Sequence, residues 1–160
     1  MGKAKDPVPQ GFHTVTPVLT FDDSTKAIDW YRRAFGAEEV SCSKGPDGKV
    51  MHADIRIGSS RIMMHDAMMG NKAPGHYGGS PANLWLYVDN SDTLFNQAVA
   101  AGATVKAPMG DQFWGDRFGS VTDPFGYEWA IATHKEDVTA EEMKQRQAEW
   151  MKNLPQPTHS

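Results

Sequence analysis

One pattern appears twice in this chain. Phe21-Asp22-Asp23, a short amphipathic stretch and Ala34-Phe35-Gly36-Ala37 return as Val88-Asp89-Asn90, a second such stretch and Ala100-Ala101-Gly102-Ala103. Asp23 matches Asp89 and Gly36 matches Gly102, both at 66 residues, and Ile57-Gly58 matches Phe125-Gly126 at 68. A duplicated unit that cannot bury its own sheet face must pack on its twin. Two twins also make a cleft, so the repeat constrains fold and function together.

Each copy reads β-α-β-β-β. In the first, His13 to Phe21 is rich in Val and Thr and predicts a strand. Ser24 is placed to cap a helix that runs to Phe35 and stops at Gly36. Ala27, Ile28, Tyr31 and Phe35 form its apolar face. Strands follow over Glu38 to Ser43, Val50 to Ile57 and Arg61 to His65, with Pro46-Asp47-Gly48 as a turn. The second copy predicts strands over 82–88, 104–107, 117–122 and 127–133, and a helix over 91–101 with Leu94, Ala98 and Ala101 inward. Thr139 and Glu142 have the spacing of a capping box, which predicts a last helix to about Asn153. Met143, Ala148 and Met151 are placed to dock on the body or on a partner chain, and Pro155 and Pro157 lie in a frayed end. The divisions are an arm (1–12), a first module (13–66), a linker (67–81), a second module (82–135) and a helical tail (136–160).

At 160 residues the chain is one domain by size, or two small halves with one core. Its net charge of −4 argues against nucleic acid and anionic membrane as partners, since both call for a basic face. No apolar run approaches the ~20 residues of a membrane span, and Met1 to Pro7 lack the apolar core of a signal peptide. A reducing cytoplasm is the expected location. The single cysteine, Cys42, has no internal partner and reads as a buried or half-buried thiol.

The paired modules, with DDSTKAIDWYRRAFGAEEV after the first strand and GDRFGSVTDPFGYEWAI near the end, resemble the vicinal oxygen chelate superfamily. This is the group of glyoxalase I, bleomycin-resistance proteins and extradiol dioxygenases. HADIRIGSSRIMMHD and FWGDRFGSVTDPFGYEW resemble its PhnB-like branch most. The resemblance covers about 13–135. It implies an α+β fold in which tandem βαβββ modules form a curved, mostly antiparallel cup, and it implies a homodimer. Metal enzymes of the family hold a divalent ion in the cup, and the ligand positions carry over to Thr16, Met63, Asn83 and Ala130. Thr and Asn are poor ligands for a transition metal, Met suits soft ions and Ala cannot bind. The usual site is therefore not expected, and no cofactor is assigned.

Strand alternation gives the cup's contents independently. His52, Arg56, Arg61, Met63, His65, Asn83, Trp85, Tyr87 and Glu128 oppose the apolar sets, and Trp114 and Phe118 come from the segment Gln112 to Gly119. A few polar groups among aromatic rings suit a small-molecule pocket. The leading expectation is a binding protein for a planar or anionic compound, an antibiotic or a metabolite. Trp85, Tyr87 and Trp114 would then contact the ligand and Arg56 or Arg61 would neutralise it. The rival is a metal-dependent isomerase, lyase or dioxygenase with atypical ligands. Zn, Ni or Fe would sit on His52, His65 and Glu128, or His65 and Glu128 would act as acid and base. Asp54 and Arg56 read as a surface pair.

Overall fold

The computed structural model describes residues 2–155; Met1 and 156–160, Pro157 among them, lie outside that range. Each module is one mixed four-stranded sheet. The first contains β1 (Val18–Phe21), α1 (Ser24–Phe35), β2 (Glu38–Lys44), β3 (Val50–Ile57) and β4 (Ser60–Asp66) in the order β1-β4-β3-β2. The second contains β5 (Asn83–Tyr87), α2 (Ser91–Ala100), β6 (Thr104–Asp111), β7 (Asp116–Thr122) and β8 (Glu128–His134) in the order β5-β8-β7-β6. The β1–β4 and β5–β8 pairs are parallel, and all other pairs are antiparallel. A one-turn 3-10 helix, Pro74–Tyr77, lies in the linker, and α3 (Ala140–Lys152) follows the second module. No described helix is long and apolar enough to cross a membrane.

The caps of α1 show why it starts and stops where it does. Asp23, not Ser24, is the N-cap: its carboxylate accepts from the Thr25 and Lys26 amides. Ser24 is already helical and buried, and its own N–H donates to Asp66 at 2.7 Å. At the other end Gly36 takes φ +67°, and the Gly36 and Ala37 amides fold back on the Arg32 and Tyr31 carbonyls, which ends the helix without a Cβ clash. Asn90 caps α2 in the same way, so Asp23 corresponds to Asn90 rather than to Asp89. The parallel ladders agree: Thr20 opposes His65 and Tyr87 opposes Ala132, again a spacing of 67 residues.

The predicted face of α1 is buried, and so is Trp30. The reason is that α1 is covered on two sides, by its own sheet and by α2. Trp30 Nε1 donates to the Ala101 carbonyl at 2.8 Å and, in near-symmetric exchange, Gln97 Nε2 donates to the Arg33 carbonyl at 2.8 Å. The modules thus pair within one chain, across their helices. Phe21, Trp30, Tyr31, Phe35, Phe125, Tyr127 and Trp129 form one aromatic core with edge-to-face and stacked contacts.

Several expectations need correction. The first strand is shorter than His13 to Phe21, and Val15 lies exposed in the segment leading to it. Cys42 is exposed, because every position of edge strand β2 is open to solvent. On α3 the capping box is present as predicted. Its contact with the body, however, is made by Trp150, whose ring meets Phe113 at 5.3 Å, and by Arg146, which forks onto Glu136. Ala148 and Met151 stay exposed.

Candidate functional site: an aromatic sheet face

The open face of the second sheet is built on two alanines. Along β8, Ala130 opposes Trp85 on one side and Ser120 on the other, and Ala132 opposes Tyr87 and Phe118. Small side chains on the central strand leave room above them. Trp85 and Phe118 reach across that room and stack, with centroids 5.0 Å apart and planes at 20°. Trp114 stands against both, at 6.4 and 5.8 Å, and Phe113 and Trp150 continue the wall. Ala130 and Ala132 are buried as a result, while Trp85 is 45% exposed and Tyr87 63%.

One carboxylate fixes this wall. Asp116 opens β7 and is 2% exposed. Its Oδ2 accepts from the Tyr87 hydroxyl and from Trp114 Nε1, both at 2.9 Å, and its Oδ1 accepts from His134 Nδ1 at 2.8 Å. Burial pushes the Asp116 carboxyl up, but the donors from His134, Tyr87 and Trp114 outweigh it and hold the group below the usual range. His134 Nε2 meets Asp137 at 2.7 Å. Both ring nitrogens therefore face carboxylates, which only accept, and this favours the doubly protonated ring and raises its pKa above the usual histidine value. Asp137 is the larger cause and Asp116 the second.

The loop before β7 closes this corner through Gly115. Its carbonyl accepts from the Lys135 and Glu136 amides at 2.9 and 3.0 Å, and φ is +98°. A Cβ there would stand 2.2 Å from the Glu136 carbonyl oxygen. Gly115→Ala is therefore expected to cost about 2–4 kcal/mol, from left-handed strain plus a clash with backbone that cannot rotate away. Gly110→Ala, whose nearest contact would be Gln112 Nε2 at 3.7 Å, should stay within about 0.5 kcal/mol in the same urea denaturation series.

The first sheet presents a different face. Asp54 is buried and holds Arg61 through two bonds, one of 2.9 Å from Nε. Phe12 of the arm packs on the Arg61 guanidinium, 4.4 Å from Cζ to the ring centre. Arg56 pairs with Glu38, so Asp54 and Arg56 are not partners. The register explains this: Arg56 lies directly opposite Arg61 on the neighbouring strand, and Asp54 sits two residues along, within reach of Arg61. His65 donates Nδ1–H to the Asp66 carbonyl at 2.8 Å, and Thr20 Oγ1 lies 3.4 Å from its Nε2. His52 is exposed on β3.

The structure thus brings Trp85, Tyr87, Trp114 and Phe118 together on one sheet, while Arg56, Arg61, Met63, His52 and His65 belong to the other. Asn83 is exposed beside Glu128, whose carboxylate is held by Lys106. His65 and Glu128 are each engaged elsewhere and do not meet. Among the described residues no three His, Cys, Asp or Glu side chains lie close enough to share an ion. At the family's metal positions Thr16, Met63, Asn83 and Ala130 offer one hydroxyl, one thioether, one amide and no donor. Stacked rings cover Ala130, so a transition ion does not fit there.

The sequence reads Asp116 and Arg117 as residues that pin their loop; the hold of Asp116 on Tyr87 and its pairing with His134 were missed. The register Asp116↔His134 is the only signal, and it exists only after folding.

Comparisons with known proteins agree with the fold. The family model described as "Glyoxalase/Bleomycin resistance protein/Dioxygenase superfamily" matches residues 12–131. An uncharacterized protein of Mycobacterium bovis is 41% identical over 135 residues, covering 81% of this chain and 89% of that one. The crystal structure of protein PA1353 from Pseudomonas aeruginosa superposes with a TM-score of 0.63 at 28% identity, over 78% of this chain and 99% of that one. The PhnB protein from Bacillus cereus shares the fold, with a TM-score of 0.59 at 21% identity, over 76% and 99%.

Proposed function

The chain belongs to the glyoxalase/bleomycin resistance protein/dioxygenase superfamily, and from that premise we propose that it is a metal-independent binding protein for a flat, neutral or cationic small molecule. The observation that carries the reading is the ring wall over Ala130 and Ala132, pinned by Asp116 and still half open at Trp85 and Tyr87. Rings held in place before the ligand arrives lose little entropy on binding. The charge preference comes from the arginines. Arg56 and Arg61 are already charge-compensated by Glu38 and Asp54, so they offer an anionic ligand no uncompensated positive charge. The expectation of an anionic ligand is revised accordingly.

The enzyme alternative rests on His52, His65 and Glu128 rather than on the family's positions, and among the described residues these three do not cluster. A homodimer, the assembly expected from the family, would cover part of these open faces. Solution mass and ligand titration therefore belong on the same sample.

The test is fluorescence titration with acridine orange, a flat cation, beside naphthalene-2-sulfonate, a flat anion. Acridine orange should bind more tightly. Trp85→Ala and Trp114→Ala should each weaken it about tenfold, the ~1.4 kcal/mol expected of a lost stacking partner. Affinity unchanged in both variants would remove the ring wall from the site.

A further inference from the structure

The modules are related by a spacing of 67 residues, and the symmetry fails at one place. On the free edge of β1, the Tyr127 hydroxyl lies between two backbone groups. The Thr20 N–H donates to it at 3.0 Å, and it donates to the Thr20 carbonyl at 2.9 Å. Its ring packs on Phe21, beside Phe125, Tyr31 and Trp30. A phenol thus satisfies the exposed edge of the first sheet.

At the matching place on β5 each of these aromatic residues is replaced or missing. Counted along the paired strands and helices, Thr20 becomes Tyr87, Phe21 becomes Val88, Trp30 becomes Gln97, Tyr31 becomes Ala98 and Tyr127 becomes Ser60. The register corrects the match of Ile57 to Phe125: Ile57 pairs with Ser60 as Asp123 does with Tyr127, and with only Gly58-Ser59 in the β3–β4 turn Phe125 has no counterpart. The result is a groove of about 500 Å³ lined by Phe35, Ile57, Ser60, Leu94 and Gln97 and bounded on the ring-wall side by Trp85 and Tyr87. The backbone is left open as well. Val88 N–H bonds to Ala132 on β8, so in a parallel ladder the N–H and C=O of the preceding residue, Tyr87, point the other way. Among the described residues no side chain or strand reaches them.

We propose that this groove, which adjoins the ring wall at Trp85 and Tyr87, is a second ligand site, and that its ligand is a small phenol lying where the internal symmetry would put the Tyr127 ring. The hydroxyl would accept from the Tyr87 N–H and donate to the Tyr87 carbonyl, as Tyr127 does at Thr20. The ring would take the space left by the missing aromatic residues. Volume and lining suit this occupant: apolar walls, with one backbone donor and one acceptor at the end.

The test uses p-cresol, which is the tyrosine side chain as a free molecule, with toluene as its match lacking the hydroxyl. Amide shifts in NMR should move and saturate at Ile57 to Ser60, Tyr87, Val88 and Gln97. Toluene should bind about tenfold more weakly, since it leaves both backbone groups unpaired. Ser60→Tyr restores the plug, and Gln97→Trp fills the groove while keeping a donor for the Arg33 carbonyl. Either variant should weaken p-cresol at least tenfold with the remaining spectrum native. Should Ser60→Tyr fail to fold, Gln97→Trp and the shift map still decide. Equal binding of toluene would overturn the phenol assignment. Shifts confined to Trp114 and Phe118, lost in Trp114→Ala, would overturn the groove and leave the ring wall standing. No shifts at the groove up to millimolar p-cresol would overturn it outright. A failed acridine orange titration bears only on the ring wall.

Discussion

Asp123→Ala is expected to destabilise the fold by about 4 kcal/mol, the range for removing one partner of a buried, multiply bonded charge. For a chain of this size that lowers the melting temperature by roughly 8–16 °C. Asp123 is buried at the start of the β7–β8 turn, where its carboxylate accepts from four donors. Its Oδ2 takes the Tyr31 hydroxyl at 2.5 Å and Trp129 Nε1 at 2.8 Å, and its Oδ1 takes the Phe125 and Tyr127 amides, both at 2.9 Å. Tyr31 comes from the first module, so one carboxylate joins the turn, the central strand of the second sheet and the helix of the first. Burial raises the Asp123 carboxyl above the usual aspartate range in spite of these donors. By the sign of that shift, the cost of holding it charged is relieved as pH falls through its folded value. Asp123→Asn keeps one acceptor oxygen but sets an NH2 against two donors, and should fall between wild type and Asp123→Ala. Thermal melts of the three proteins check the order. Asp123→Ala within 1 kcal/mol of wild type would show that the turn and Tyr31 find other partners.

This residue also shows what the sequence could and could not disclose. Asp123-Pro124-Phe125-Gly126 is legible as a turn, because turn chemistry is local. Its service to a tyrosine 92 positions away is not local, and nothing near Asp123 announces it. The order of elements was readable throughout, since each strand and helix carries its own period and its own stop. The buried stripe of α1 was readable for the same reason, but Trp30 was not, because only the second helix, packed across it, buries that side. The cup-facing sets followed from alternation along each strand. Their grouping did not: alternation says which face a residue occupies and is silent on which sheets adjoin. Trp85, Tyr87, Trp114 and Phe118 share one sheet face and Arg56, Arg61 and His65 lie on the other module, with Arg61 and Trp85 meeting along one cavity between them. The buried ion pair of Asp54 was misread for want of the β3–β4 register.

Asp116→Ala is expected to weaken binding of acridine orange about ten- to a hundredfold without altering a single ring of the wall. Asp116 holds Tyr87 and Trp114 by their polar ends, and without it both rings must be ordered by the ligand, at about 0.5–1.5 kcal/mol each. The same network sets a pH window. Asp116 has its carboxyl held low, so its contribution is present above the ordinary aspartate value and is lost as pH falls through its folded value. His134 has its pKa held high, so its contribution is complete below the ordinary histidine value of about 6.5 and is lost as pH rises through its folded value. Deprotonation would turn a nitrogen lone pair toward Asp116 or Asp137. Affinity should therefore be flat across the acidic range from about pH 4, where carboxylates are ionised, and decline on the alkaline side of the His134 transition. His134→Gln should remove that decline, since an amide donates to Asp116 without titrating. NMR titration of the His134 ring and binding isotherms at matched pH measure the two curves independently. If the affinity curve ignores the His134 transition in the wild type, the carboxylate network does not govern the wall.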